Sequence, residues 1–152
     1  MIDIVEKLRE FGVDIFEGKY EVESKNDIVE EILSCEDARL KLSLPVLFIA
    51  NPKLSDIIKN TENETIKYLY TAAVYLQNLW KTYIEMKLGK CQELPDLFSK
   101  QMGLPPPDEL HGKTGLFELS EKLKEKTGFS YEDGKVFEKF LKLFLEKRKF
   151  RD

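Results

Sequence analysis

With 152 residues and 17.8 kDa, the chain can bury roughly 68–70% of the surface its unfolded form exposes, so one domain needs neither a disulfide nor a metal to hold a core. A content of 42% hydrophobic and 34% charged residues excludes a disordered chain, and a formal net charge of −4 argues against the broad basic surface of a dedicated nucleic-acid-binding domain. Cys35 and Cys91 lie too far apart for a CxxC redox or zinc pair, and the longest apolar run, Leu44 to Ala50, falls well short of the roughly 18 residues that mark a membrane span.

The N-terminal MIDIVEKLRE is acidic and amphipathic, where a secretory signal has a basic start and an apolar run, so a cytoplasmic location without a membrane is expected and the Asn63-Glu64-Thr65 sequon has no role there. Lysine and glutamate are dense enough to suit a thermophile's ion-pair networks or a lysine-rich mesophile. Charge is polarised along the chain: residues 1–38 carry a net −8 and residues 135–152 a net +4.

In chain order, Ile2, Val5, Leu8 and Phe11 predict a helix over about 2–11, closed by Gly12. The alternating VDIF and KYEV on either side of Glu17-Gly18 predict a short β-hairpin over about 13–22. A second helix carries Ile28, Val29, Ile32 and Leu33 after Ser24 or Asn26 as cap. Residues 38–50 alternate like a strand but also fit a helical face, and the Ser34/Asp37 spacing favours a helix from near Cys35, with Pro45 kinking it or starting a new one. Asn51-Pro52 opens a short helix with Leu54, Ile57 and Ile58.

Thr61-x-x-Glu64 starts the principal element, a long helix over about 62–88 with Ile66, Leu69, Ala73, Leu76, Trp80 and Tyr83 at steps of three and four, ending at Gly89. A second stripe, Tyr68, Tyr75 and Leu79, widens its apolar face almost to a full circle, which places the helix in the middle of a bundle. Leu94-Pro95 predicts a short helix through Met102, Gly103 ends it, and Pro105 to Pro107 are extended. A helix with Leu116, Leu119 and Leu123 runs to Gly128, and a last one runs from Ser130 or Asp133 through Leu145. The stretch 103–115 is the one place for a subdomain joint in what is otherwise a single domain over 1–152.

Gly112-Lys113-Thr114 imitates the end of a phosphate loop, GxxxxGK[ST], but the first glycine position is Pro107, which has no amide hydrogen, and no strand precedes it. Asp108-Glu109-Leu110-His111 spells the DExH of helicases, yet it stands before the GKT and not after it on a core strand. Asp108 and His111, at i and i+3, could share a metal with Glu109, Asp96 or Cys91, but a lone histidine is far from the four close ligands of structural zinc, and no metal or cofactor is expected. Adjacent acids such as Glu30-Glu31 and Glu36-Asp37 face apart on a helix and read as solvated.

The fold expected is therefore mainly α, an irregular bundle of six to eight helices around the long central one. The function expected first is a non-enzymatic interaction module, a small subunit or adaptor, with Tyr68, Tyr75 and Leu79 as the surface for a protein partner or a second copy. A second expectation is nucleic-acid contact through Lys139, Lys142, Lys147, Arg148 and Arg151, where the C-terminal helix presents a mostly lysine face. A third is a small enzyme at the proline loop, with Asp108, Glu109, His111 and Lys113 as its first suspects.

Overall fold

Asp3 decides how the chain begins. Its carboxylate accepts the amides of Val5 (3.2 Å), capping the helix α1 (Ile4–Glu10), and of Tyr20 (3.0 Å), which draws a later segment back. Two short strands result, β1 (Ile2–Asp3) and β2 (Glu21–Val22), antiparallel with Ile2 opposite Val22. The Tyr20 amide and the other donors around it hold the Asp3 carboxyl below the usual carboxylate range. The computed structural model describes residues 1–127 and 135–147.

The hairpin predicted over 13–22 is thus replaced by a pairing of 21–22 with 2–3. Residues 13–16 are committed elsewhere: Gly12, at φ 86°, donates to the Arg9 carbonyl and Val13 to the Leu8 carbonyl, a helix-closing motif that turns Val13 into the core. Arg9 then clamps the segment by bonding Asp14 and the Phe16 carbonyl, both at 3.1 Å.

Caps fix the next elements. Asp27, not Ser24 or Asn26, caps α2 (Ile28–Leu33) through the Glu30 amide, and Asp37 itself caps α3 (Ala38–Leu42). The stretch 38–50 is helical: Ser43 separates α3 from α4 (Leu44–Ala50), whose first turn holds Pro45. Asn51 makes no cap. Its side-chain amide bonds the carbonyls of Phe11 (2.7 Å) and Leu47 (3.2 Å), tying the ends of α1 and α4 together before a 3₁₀ turn (Pro52–Leu54) and α5 (Ser55–Ile58). Of the acids read as solvated, Glu30 is exposed but Glu31 is fully buried, where it accepts the Lys7 ammonium and the Lys25 amide.

Asn63 caps α6 (Glu64–Leu79) by accepting the Ile66 amide, and the Thr61 hydroxyl accepts the Asn63 amide from two residues earlier. The long helix predicted over 62–88 divides at Trp80, whose φ of −111° and ψ of 21° leave the helical basin, and α7 (Lys81–Leu88) follows. No proline or glycine marks this break. It turns α7 so that Ile84, 1% exposed, reaches the common core.

The second aromatic stripe is covered by the chain itself. Tyr68 and Tyr75 are 4% and 0% exposed, and Leu79 is half-buried beside Gly112, so this stripe offers no partner surface. The cover is α8 (Gly112–Thr127), which packs along α6 as α4 does on another side. The helix predicted from Leu94-Pro95 through Met102 is irregular chain and turns instead, because Gly103, at φ 67°, and the Leu104-to-Ser99 bond (2.9 Å) close the chain after one turn. α9 (Lys135–Glu146) buries Phe137, Leu141, Phe144 and Leu145; its predicted start, like Gly128, lies outside the described residues. One apolar cluster runs through all these layers from Ile4 to Leu145. Among the described residues no helix is long and apolar enough to cross a membrane.

Gly115 shows how closely α8 approaches. A Cβ there would lie 2.9 Å from Tyr75 Cδ1 and nearer still to Cε1 and Cζ, and the ring cannot simply step aside because its hydroxyl donates to the Pro105 carbonyl. Helix propensity alone makes Gly115→Ala stabilising by about 1 kcal/mol, whereas overpacking costs about 1–3 kcal/mol. Urea unfolding should show net destabilisation, and the alanine should cost less in a Tyr75→Leu background. A gain in stability for the single variant would refute the close approach.

Burial pushes the Cys35 thiol up to about 11, and its S–H points at the Glu31 carbonyl (3.5 Å). Iodoacetamide at pH 8 should therefore modify the half-buried Cys91 first and Cys35 only in denaturant, as read by mass spectrometry of the two peptides.

Candidate functional site

The proline turn brings two of its four suspects together. Asp108 Oδ1 accepts the amides of Leu110 (3.0 Å) and His111 (2.9 Å) and meets His111 Nδ1 at 2.7 Å, so its carboxylate organises the turn leading into α8. Glu109 and Lys113 are exposed and join neither. Among the described residues no group of three His, Cys, Asp or Glu side chains is placed to hold a metal. The glycine of the GKT and the one after it have a packing role: Gly112 lies against Leu79 and Gly115 against the Tyr75 ring.

A cavity of about 300 Å³ lies between α6, α7 and residues 93–96, but its polar groups serve each other. The Gln77 side chain bonds the Gln92 carbonyl (3.0 Å) and the Leu94 amide (2.7 Å), Asp96 holds Ser99, and Lys81 faces Glu93 at 3.5 Å. These bonds pin an irregular segment to α6.

The groove between α7 and α9 differs in kind. Its volume is about 550 Å³, within the range of ligand-binding clefts, and its floor and walls are Trp80, Tyr83, Leu141 and Leu145. Trp80, 38% exposed, meets Tyr83 edge-on at 6.3 Å, and Lys87 Nζ stands 5.8 Å from the Tyr83 ring. Along the α9 edge run Lys135, Lys139 and Lys142, with Glu138 among them.

Those three lysines have no ion-pair partner among the described residues, while the basic residues of the acidic N-terminal part pair within it, as in Lys7–Glu31 and Arg9–Asp14. At spacings of four and three they repel one another on the helix surface, a repulsion that Glu138, three residues from Lys135 and four from Lys142, offsets in part. The helix dipole does not compensate, since it favours cations in the last turn and all three precede Leu143–Glu146.

Of the nucleic-acid candidates, Lys139 and Lys142 therefore sit on the groove, Lys147 follows the end of α9 and is exposed, and Arg148 and Arg151 lie outside the described residues. Sequence periodicity had placed Trp80 and Tyr83 in the central stripe. The bend at Trp80 brings them to the groove instead, and only the aromatic content of that last turn hinted at it.

Neither the known protein families, nor the curated proteins, nor the solved structures provide a match to this chain.

His111 lowers the Asp108 carboxyl, chiefly through their side-chain hydrogen bond and then through the His111 amide. A depressed carboxylate contributes stability above its ordinary value of 3.8 and loses that contribution as pH falls through the folded value. Carboxyl-carbon NMR should show Asp108 titrating below 3.8, and His111→Ala should move it upward toward that value while Trp80 emission stays unchanged. An unmoved titration would remove the histidine from the cap.

Proposed function

We propose that this chain is a non-enzymatic protein-interaction module, a small subunit or adaptor of a cytoplasmic complex, and that its docking surface is the groove between α7 and α9. The observation that carries the reading is the combination found there: a part-exposed tryptophan and a tyrosine, edged by three lysines that make no ion pair among the described residues, with Glu138 between them. Tryptophan and tyrosine supply large contact area at low entropic cost, and they dominate binding energy when the surrounding rim excludes water. The surface first expected, Tyr68 and Tyr75, is spent on internal packing.

Nucleic-acid binding is the second reading, favoured by the same juxtaposition, since single strands bind through cationic grooves with aromatic stacking platforms. Glu138 within the lysine row and the aliphatic floor of Leu141 and Leu145 weigh against it. The proline turn lends an enzymatic reading little support, because the one close pair it holds, Asp108 and His111, is engaged in capping.

Affinity capture tests the first reading. The full chain, a Trp80→Ser/Lys139→Glu variant and a control changed at the exposed Lys59 would be used as baits in extracts of the native host, each first shown to be folded by circular dichroism. The groove variant should lose the proteins that the native chain and the control retain, at least tenfold by quantitative mass spectrometry. Equal retention by all three would show that the groove is not the docking surface.

A further inference from the structure

We infer that the occupant of this groove is an acidic amphipathic helix of another protein, laid along α9 with its carboxylates toward Lys135, Lys139 and Lys142 and its apolar stripe on Trp80 and Tyr83, beneath which Leu141 and Leu145 are already buried. The inference rests on the docking reading above and adds the chemistry of the partner. Its first support is spacing. At a rise of about 1.5 Å per residue, Lys135 and Lys142 stand roughly 10 Å apart along α9, too far for one carboxylate to meet both.

A single-headed anion such as a fatty acid would leave most of the row unmatched. A helix with Asp or Glu at i, i+4 and i+7 repeats the spacing of the row and relieves the repulsion among its members.

The second support is the character of the walls. Both are helices with their main-chain groups bonded internally, so an extended strand would find no edge to pair with, whereas a helix needs only a side-chain groove. The floor asks for apolar side chains at i, i+3, i+4 and i+7, and about 15 Å of α9 from Lys135 to Leu145 accommodates close to three turns of a partner.

A second copy of this chain fits poorly. Its acidic part, residues 1–38, has the complementary charge, but most apolar side chains of its helices, Ile4, Val5, Leu8, Ile28, Val29 and Ile32, are buried in its own core, and Leu33 alone is part-exposed on α2.

Trp80, the only tryptophan of the chain, reports on the groove directly. The probe is a synthetic peptide of about 18 residues, long enough for five turns, with a Leu/Phe stripe flanked by glutamates at i, i+4 and i+7. Titrated into the full chain, it should shift Trp80 emission to the blue with saturation and gain helicity. Its affinity should fall about tenfold for Lys139→Glu/Lys142→Glu, and a peptide with lysines in place of those glutamates should recover binding to that variant but not to the native chain.

Three results would overturn the inference: a scrambled peptide of the same composition binding equally well, no recovery in the charge-swapped pair, or saturable Trp80 shifts with oligothymidylate or palmitate and none with the helical peptide. If the peptide fails while Trp80→Ser/Lys139→Glu still abolishes capture of native partners, the helix is wrong and the docking reading stands. If that variant retains every captured partner, the docking reading falls whatever the peptide does.

Discussion

From Ile66 to Gln77 every residue of α6 is buried, which obliges the chain to cover this helix from all directions. A helix apolar on nearly its whole circumference cannot rest at a surface. α4 packs along one side and α8 along another, α9 contacts both α4 and α6, and the irregular segment 91–107 closes what remains. Each cover brings its own device. α8 lies close because Gly112 and Gly115, at i and i+3, present no side chain to Leu79 and Tyr75. α4 meets α6 through the edge-on pair Phe48 and Tyr70, 5.1 Å between ring centres.

The irregular cover follows from the same demand. A segment without regular hydrogen bonding can lie over a core only if its main-chain groups find partners, and α6 supplies them from side chains whose bodies are apolar. Tyr70 donates to the Pro95 carbonyl (2.7 Å), Tyr75 to the Pro105 carbonyl, and Gln77 uses both ends of its amide on residues 92 and 94. The aromatic bodies fill the core while the hydroxyls reach its edge, and burial raises both tyrosines well above their ordinary range. This is why the proline stretch is stiff and yet attached: its conformation comes from proline and its position from Tyr75.

The parts legible in the sequence are those that a single period determines: the mainly helical class, the centrality of α6, the apolar stripe of α9 and the closing glycine Gly12. Caps were displaced by one to three residues where several competent side chains crowd a turn, as with Asp27 beside Asn26 and Asn63 beside Thr61, since tertiary anchoring chooses among them. Two misreadings arise at helix ends. Val13 alternates like a strand residue but is consumed in closing α1, and Trp80 continues a helical stripe but sits where the helix bends. In the first a local helix-closing motif overrides the alternation, and in the second the helix leaves its basin with no proline or glycine to announce it. The stripe of Tyr68 and Tyr75 was rightly apolar, yet no period can say whether another chain or the same chain covers it. Of the groove, the lysine row was readable on α9, but its opposite wall exists only once α7 has turned.

The lysine row sets like charges side by side with no ion pair among the described residues. Elsewhere charges are placed where they help the chain: Glu31 is buried but bonded by Lys7 and Lys25, Asp3, Asp27 and Asp37 sit at helix starts, and Lys126 pairs with Glu64 at 3.5 Å beside the ring of Tyr68. Against that background, like charges at i, i+4 and i+7 beside exposed aromatic surface are an inconsistency between levels, and such inconsistencies concentrate at functional sites. Neither feature alone carries the same weight, since a lysine face is an ordinary solvated surface and one exposed tryptophan is common. Their placement on facing walls of one groove, produced by the bend at Trp80, joins them. The repulsion among the lysines and the exposure of the aromatic floor are then removed together by one event, the arrival of a partner that is at once acidic and apolar.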